Sequence, residues 1–249
     1  MIVLINSSKT MVADPDLAIT QWPALIDRAR QLDAILKAMA VADLQSLMHL
    51  SPKLAATTRA LIQRWTAHPG EQTLAIDAFR GDIYRGLKAQ SLTEDERIYA
   101  NNILRTLSGL YGIIRPFDGI SPYRLELMYS LSGQDFKNFY EFWGRSVAET
   151  LPASGLIVNA ASEEYFRLIR SFVNPDRVVE PQFLTRANPD SEPTFVVVHA
   201  KVARGAFARW LITSRIVEPA QFHGFDDLDY HFDARTSTGM RPVFIKRLA

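Results

Sequence analysis

The chain has 249 residues, with 28 Lys and Arg against 27 Asp and Glu, a formal net charge of +1. That balance excludes a protein that holds nucleic acid by bulk charge, because such binding needs a clear basic excess, although a local basic patch stays open. The absence of cysteine excludes disulfides, thiol catalysis and thiolate metal sites. With 47% apolar and 22% charged residues the composition is that of a globular protein large enough to bury a substantial core.

The opening run Ile2-Val3-Leu4-Ile5-Asn6 is short, apolar and β-branched, which predicts a buried strand. It is too short for a signal peptide and has no basic residues before it, and no apolar stretch reaches the roughly 18–20 residues of a membrane span. The expectation is a cytoplasmic protein with no membrane association. Pro23 suits the first position of a helix that continues through Leu25, Ile26, Ala29, Leu32, Ile35 and Leu36. Leu44, Leu47 and Met48 indicate a short helix, and 52–65 another. Thr93-Glu94-Asp95-Glu96 is a capping box, predicting a helix to about Leu107. Residues 136–150 are helical in pattern. Leu156–Asn159 reads as a buried strand, and Glu163–Ile169 as a helix capped by Ser162. Residues 178–184 and 194–200 read as strands, 201–216 as a helix, and Tyr230–Phe232 and Val243–Ile245 as late strands. Helices and strands mix without strict βαβ repetition and without a linker. The fold class predicted is therefore α/β, one domain over residues 1–249 with a mixed β-sheet and surrounding helices.

Several segments carry candidate chemistry. Lys9 follows a strand in a turn with Ser7, Ser8 and Thr10. An ammonium flanked by hydroxyls can hold a phosphate or carboxylate, or act as a nucleophile; it is equally a solvated lysine in a polar turn. Asp82 and Tyr84 follow Gly81, where Arg80 and Asp82 either bind a polar ligand or brace a turn. Arg115, Asp118, Tyr123, Arg124 and Glu126 crowd into twelve residues around Pro116 and Pro122. Arg124 and Glu126, two apart in an extended segment, would share a face, with Glu126 as general acid/base and Arg124 as anion clamp, or as a buried ion pair. Asn159 ends a strand, and Ser162, Glu164 and Tyr165 open a helix whose N–H groups favour anions. Lys201, Arg204 and Arg209 lie at roughly helical spacing beside Trp210 and Arg215, which suits either a phosphate-tracking stripe or a solvated helix face. The histidines His49, His68, His199, His223 and His231 lack metal-site spacing. The acidic run Asp226, Asp227, Asp229, Asp233 has no calcium-loop pattern. Neither a metal nor a cofactor is expected.

Longer blocks carry a resemblance. They are Ile5-Asn6-Ser7-Ser8-Lys9-Thr10-Met11, Ala78-Phe79-Arg80-Gly81-Asp82-Ile83-Tyr84-Arg85-Gly86-Leu87, and Leu107-Ser108-Gly109-Leu110-Tyr111-Gly112-Ile113-Ile114-Arg115-Pro116-Phe117-Asp118 with Pro122-Tyr123-Arg124-Leu125-Glu126. Phe142-Trp143-Gly144, Asn159-Ala160-Ala161-Ser162-Glu163-Glu164-Tyr165 and Lys201-Val202-Ala203-Arg204-Gly205 follow in order. In these blocks the chain resembles the YaaA family of bacterial peroxide-stress resistance proteins over nearly its whole length. The resemblance implies a single α/β domain with a helix-hairpin-helix element, a basic cleft, and cytosolic binding of double-stranded or bubble DNA. The hairpin block departs from the family pattern at Lys53-Leu54-Ala55-Ala56-Thr57-Thr58-Arg59-Ala60, with Ala56 in place of glycine, so the element is expected to be degenerate. The opening turn has lost its proline, and Glu126-Leu127-Met128 replaces a usual glycine. Two functions follow as expectations. One is binding of DNA or a nucleotide-like ligand. The other is an enzyme on an anionic small metabolite, with Lys9 or Glu126 as nucleophile or general acid/base.

Overall fold

A computed structural model describes residues 1–14, 19–67, 72–133, 135–188 and 190–247; His68 lies outside them. Strand β1 (Ile2–Asn6) is buried along its whole length and forms the centre of a five-stranded sheet. With β2 (Leu104–Ser108), β3 (Gly112–Ile114), β4 (Ile157–Asn159) and β5 (Val178–Val179), the sheet has the order β3-β2-β1-β4-β5. All neighbours are parallel except β2 and β3. A strand flanked on both sides by parallel partners is covered on both faces, which is why Ile2–Ile5 is a continuous apolar run. Strand order reverses at β1, so the carboxyl ends of β1, β2 and β4 open onto one crevice.

A second sheet contains β6 (Gln182–Arg186), β7 (Tyr230–Phe232) and β8 (Val243–Arg247), ordered β6-β8-β7. One face packs Phe183, Tyr230 and Phe244 against Phe207 and Phe225. The fold is thus mixed α/β, as expected. Among the described residues no helix is long and apolar enough to cross a membrane.

The main helices are α1 (Ile26–Ala38), α2 (Val41–Met48), α3 (Pro52–Arg64), α4 (Asp82–Leu87), α5 (Glu94–Ile103), α6 (Glu163–Arg170) and α7 (Val197–Thr213). Helix α5 begins as its capping box predicts. Thr93 Oγ1 accepts from Glu96 N at 3.2 Å, and Glu96 Oε2 accepts from Thr93 N at 2.7 Å. The helix stops at Ile103 rather than Leu107, because Leu104–Leu107 pair in register with Val3–Asn6 of β1. The first helix starts at Ile26, three residues after Pro23, whose carbonyl accepts from Ile26 N.

Three other elements differ from expectation. The 136–150 helix is broken into Phe139–Trp143 and Ser146–Glu149, because Gly144 adopts φ +49° and ends the first turn. The 178–184 strand is divided between the two sheets around Pro181, which has no N–H for a ladder. The 194–200 segment is not a strand. Its β-branched Val196-Val197-Val198 run enters α7, where tertiary packing outweighs local preference.

The segment expected to form the hairpin, Lys53–Ala60, lies inside α3. The turn between α2 and α3 falls earlier, at left-handed His49, Leu50 and the N-cap Ser51. Thr57 Oγ1 donates back to the Lys53 carbonyl at 3.1 Å, and Thr58 is buried. Neither hydroxyl is presented as a phosphate donor.

Helix α7 is fixed over α4 by two glycines. A Cβ on Gly205 would lie 1.8 Å from the Ile83 carbonyl oxygen, and one on Gly86 would lie 2.0 Å from the Val202 carbonyl oxygen. Only hydrogen at both positions lets the backbones touch. That contact carries Lys201 and Arg204, in the first half of α7, toward the start of α4 and the end of β1.

Candidate functional site

At the carboxyl edge of the main sheet lies a cavity of about 570 Å³. Its wall draws on the turn after β1 (Asn6–Lys9), the start of α4 (Gly81–Tyr84), Glu126, the start of α6 (Ser162–Tyr165), and Phe195, Val197, Lys201 and Arg204. Segments almost two hundred residues apart therefore meet in one place.

Asn6 organises the floor. Its Oδ1 accepts from Ser162 N at 3.0 Å and its Nδ2 donates to the Ser7 carbonyl at 3.0 Å, while its own carbonyl accepts from Tyr84 OH at 3.1 Å. Ser7 Oγ donates to Tyr165 OH at 3.4 Å. Burial holds the Tyr84 and Tyr165 phenols well above their ordinary range, so both stay protonated. Ser162 occupies the N-cap of α6, but its hydroxyl makes no capping bond. This corrects its reading as a plain cap.

The charges are paired unevenly. Lys9 Nζ meets Glu126 Oε2 at 2.6 Å. Asp82 meets Arg85 at 3.2 Å, and Glu163 pairs with Arg170. Glu164 Oε1 accepts from Met128 N at 3.2 Å. Burial, and then the neighbouring Glu126 carboxylate, push the Glu164 carboxyl up from its usual range. Lys201 and Arg204 form no ion pair among the described residues. Burial lowers the Arg204 guanidinium from its ordinary value, yet arginine keeps its charge at any working pH. Its guanidinium lies 6.0 Å from the exposed ring of Phe195. The cavity wall is therefore bipolar, with the cations Lys201 and Arg204 and the carboxyl groups of Glu126 and Glu164.

A raised carboxyl has a sign that can be tested. The Glu164 contribution to stability is fully present below the unfolded value, near 4.5, and is lost as pH rises through the higher folded value. At neutral pH the ionised form opposes the fold. Glu164→Gln keeps an acceptor for Met128 N and removes the charge. Melting temperatures measured from pH 4 to 8 should diverge above about pH 4.5, with the variant more stable at the alkaline end.

Five predicted residues do not line the cavity. Arg115 braces a loop: its Nε donates to Asp118 Oδ1 at 3.1 Å, its backbone N to Oδ2 at 2.7 Å, and its Nη2 to the Trp22 carbonyl at 3.3 Å. Tyr123 is buried 2.7 Å from Ser108 Oγ, with its phenol pushed up to about 12 by burial. Arg124 does not join Glu126 at the wall, although the two share an extended segment. Asn159 lies under the site, where its Oδ1 accepts from Ala161 N at 3.1 Å and shapes the turn into α6. Arg209 donates to the Lys88 carbonyl at 3.1 Å and so caps the end of α4. The rest of the basic stripe is structural too: Trp210 packs on Phe207 and Phe225, and Arg215 lies over Tyr99.

Asn6 and Phe195 were not anticipated as cavity residues. Asn6 has a readable signal, a polar residue closing an apolar strand. Phe195 has none, because it falls in a segment that reads as a strand. The acidic run near the end holds no cluster: among the described residues no three His, Asp or Glu side chains come together as a metal site.

The molecule is a mixed α/β protein whose polar cavity sits at the carboxyl edge of its central sheet. It belongs to the peroxide stress protein YaaA family, whose model matches residues 1–236. A UPF0246 protein of Salinispora tropica is 48% identical over 246 residues, covering 98% of this chain and 94% of the relative.

Proposed function

We propose that the cavity binds a nucleotide-like anionic ligand, free or as one nucleotide of a DNA strand, as the task of this peroxide-stress family member. The observation that carries the reading is Lys201 and Arg204, two cations that form no ion pair among the described residues, lining one cavity with Ser8 and Ser162. Two such cations suit a phosphate, and arginine can meet it with two parallel N–H donors. Phe195 at the rim offers a ring for stacking a base. Glu126 and Glu164 can accept from an exocyclic amino group, as carboxylates accept from cytosine N4. The volume fits one nucleotide and is too small for a duplex.

Titration of the purified protein with mononucleotides, single-stranded DNA and bubble DNA at several salt concentrations tests this. Binding should weaken with salt, and amino-bearing bases should bind better than thymine or uracil. Absence of binding by every one of these ligands at low salt would overturn the reading.

A second reading, an enzyme on an anionic metabolite, is favoured by one contact. Lys9 and Glu126, at 2.6 Å, stand beside a Glu164 carboxyl biased toward its protonated form, an arrangement able to move protons. Lys9→Met separates the two readings. It should abolish turnover if there is turnover, and reduce binding only partly if the protein is a binder. The pair is partly exposed and contributes about 1 kcal/mol, so the melting temperature should hold within a few degrees.

A further inference from the structure

A second cavity, of about 380 Å³, runs along one face of α4, and the nucleotide reading gives it no task. Gly81, Tyr84, Arg85 and Lys88 follow one another at helical spacing, so they share that face and line the cavity. Its floor is apolar, made by the buried side chains of Ile76, Phe79 and Ala89. The Phe79 and Tyr84 rings stack with centroids 5.2 Å apart. The rim is cationic: it carries Arg80, Arg85 and Lys88, and no Asp or Glu belongs to the lining. The carboxylates nearest in sequence are Asp77, which pairs with Arg97, and Asp82, which offsets Arg85 at 3.2 Å. Arg80 and Lys88 form no ion pair among the described residues. Gly81 and Tyr84 also belong to the wall of the cavity at the sheet edge, so the two cavities adjoin.

Both cations without an ion pair stand on a fixed backbone. Arg80 Nη1 donates to the Asp77 carbonyl at 2.6 Å and to the Phe79 carbonyl at 2.9 Å, which holds the guanidinium at the rim. Lys88 closes α4 in the left-handed region, at φ +47° and ψ +47°, where glycine is favoured and a side chain is strained. Its carbonyl accepts from Ser91 N at 2.9 Å, Ser91 Oγ at 2.8 Å and Arg209 Nη1 at 3.1 Å. The fold thus tolerates backbone strain to present an ammonium where glycine would fit without it. We infer that this cavity is a second binding site, for an anion carried on a flat apolar ring. The anion meets Arg80 and Lys88, and the ring lies over Ile76 and Phe79. Two sources offer this chemistry: a free aryl phosphate or carboxylate, and the next nucleotide of a ligand that already fills the adjoining cavity. Only the second source rests on the nucleotide reading.

Calorimetric titration of the full chain with phenyl phosphate at low salt tests the site, with inorganic phosphate for comparison. Phenyl phosphate should bind about tenfold or more tightly than inorganic phosphate, because only the ring covers the apolar floor. Lys88→Gly removes the ammonium at a backbone conformation that glycine favours. It should melt no lower than the parent and bind phenyl phosphate about fivefold or more weakly. Lys88→Met, which keeps the strain and most of the stem, should lose affinity to a similar degree. Lys201→Gln, whose side chain belongs to the other cavity, should leave phenyl phosphate binding within about twofold. A dinucleotide titrated in parallel assigns the source. A gain of about tenfold over the mononucleotide, lost in Lys88→Gly, makes the occupant a neighbouring nucleotide, and no such gain makes it a free aryl acid. The proposal is overturned by no binding of phenyl phosphate, by equal binding of inorganic phosphate, by undiminished affinity in both Lys88 variants, or by a larger loss in Lys201→Gln than in Lys88→Gly. Failure of the nucleotide reading shows separately, as absence of mononucleotide binding to the parent.

Discussion

Gly205→Ala is expected to lower the melting temperature by roughly 6–12 °C. In an ordinary helix the same change would stabilise, since alanine is favoured over glycine by up to about 1 kcal/mol. Here the new methyl would sit 1.8 Å from the Ile83 carbonyl oxygen, so α7 would have to move off α4. Overpacking against a backbone that cannot rotate away costs about 3 kcal/mol net, and each kcal/mol shifts the midpoint by about 2–4 °C in a domain of this size. Gly86→Ala should behave alike, because its methyl meets the Val202 carbonyl oxygen at 2.0 Å. Calorimetric scans would measure both. A variant as stable as the parent would show that the two helices do not approach as described. Either substitution should also cut ligand binding, since Lys201 and Arg204 depend on that contact for their place over the cavity.

Arg204→Gln is expected to act in the opposite way, with a large effect on binding and little on stability. Losing a charge-assisted contact to phosphate costs about 1.5–3 kcal/mol, or ten- to a hundredfold in affinity. The side chain is mostly buried and forms no ion pair among the described residues, so removing its charge also relieves a desolvation cost. The melting temperature should stay level or rise slightly. Nucleotide affinity and thermal unfolding, measured on one preparation, check the two halves together. Undiminished affinity in the variant would remove Arg204 from the phosphate site.

The sheet was legible where one local rule sufficed. The Ile2–Asn6 run, the Thr93 capping box and the late strands 230–232 and 243–245 are found close to where composition and spacing put them. Legibility failed where partners decide the outcome. Leu104–Leu107 continues a helical pattern, and only the neighbouring β1 makes it a strand. Val196–Val198 has the composition of a strand, and only the packing of α7 makes it a helix start.

The cavity shows the same division. Lys9, Asp82, Tyr84, Glu126, Ser162, Tyr165, Lys201 and Arg204 all line it. Position after a strand was the signal for Lys9, and position at a helix start the signal for Ser162 and Tyr165. Arg115 and Arg209 stand away from the cavity, and spacing could not place them, because an arginine in a sequence looks the same whether it faces a cavity or donates to a carbonyl. Arg115 is held by Asp118 and Arg209 by Leu87 and Lys88, contacts that no spacing rule reveals.

The Asn6 side chain has a mechanical consequence. By accepting from Ser162 N while donating to the Ser7 carbonyl, it ties together the loops that leave two adjacent strands. Asn6→Ala should break that tie, leaving the Ser162 N–H without its acceptor and the start of α6 no longer fastened to the end of β1.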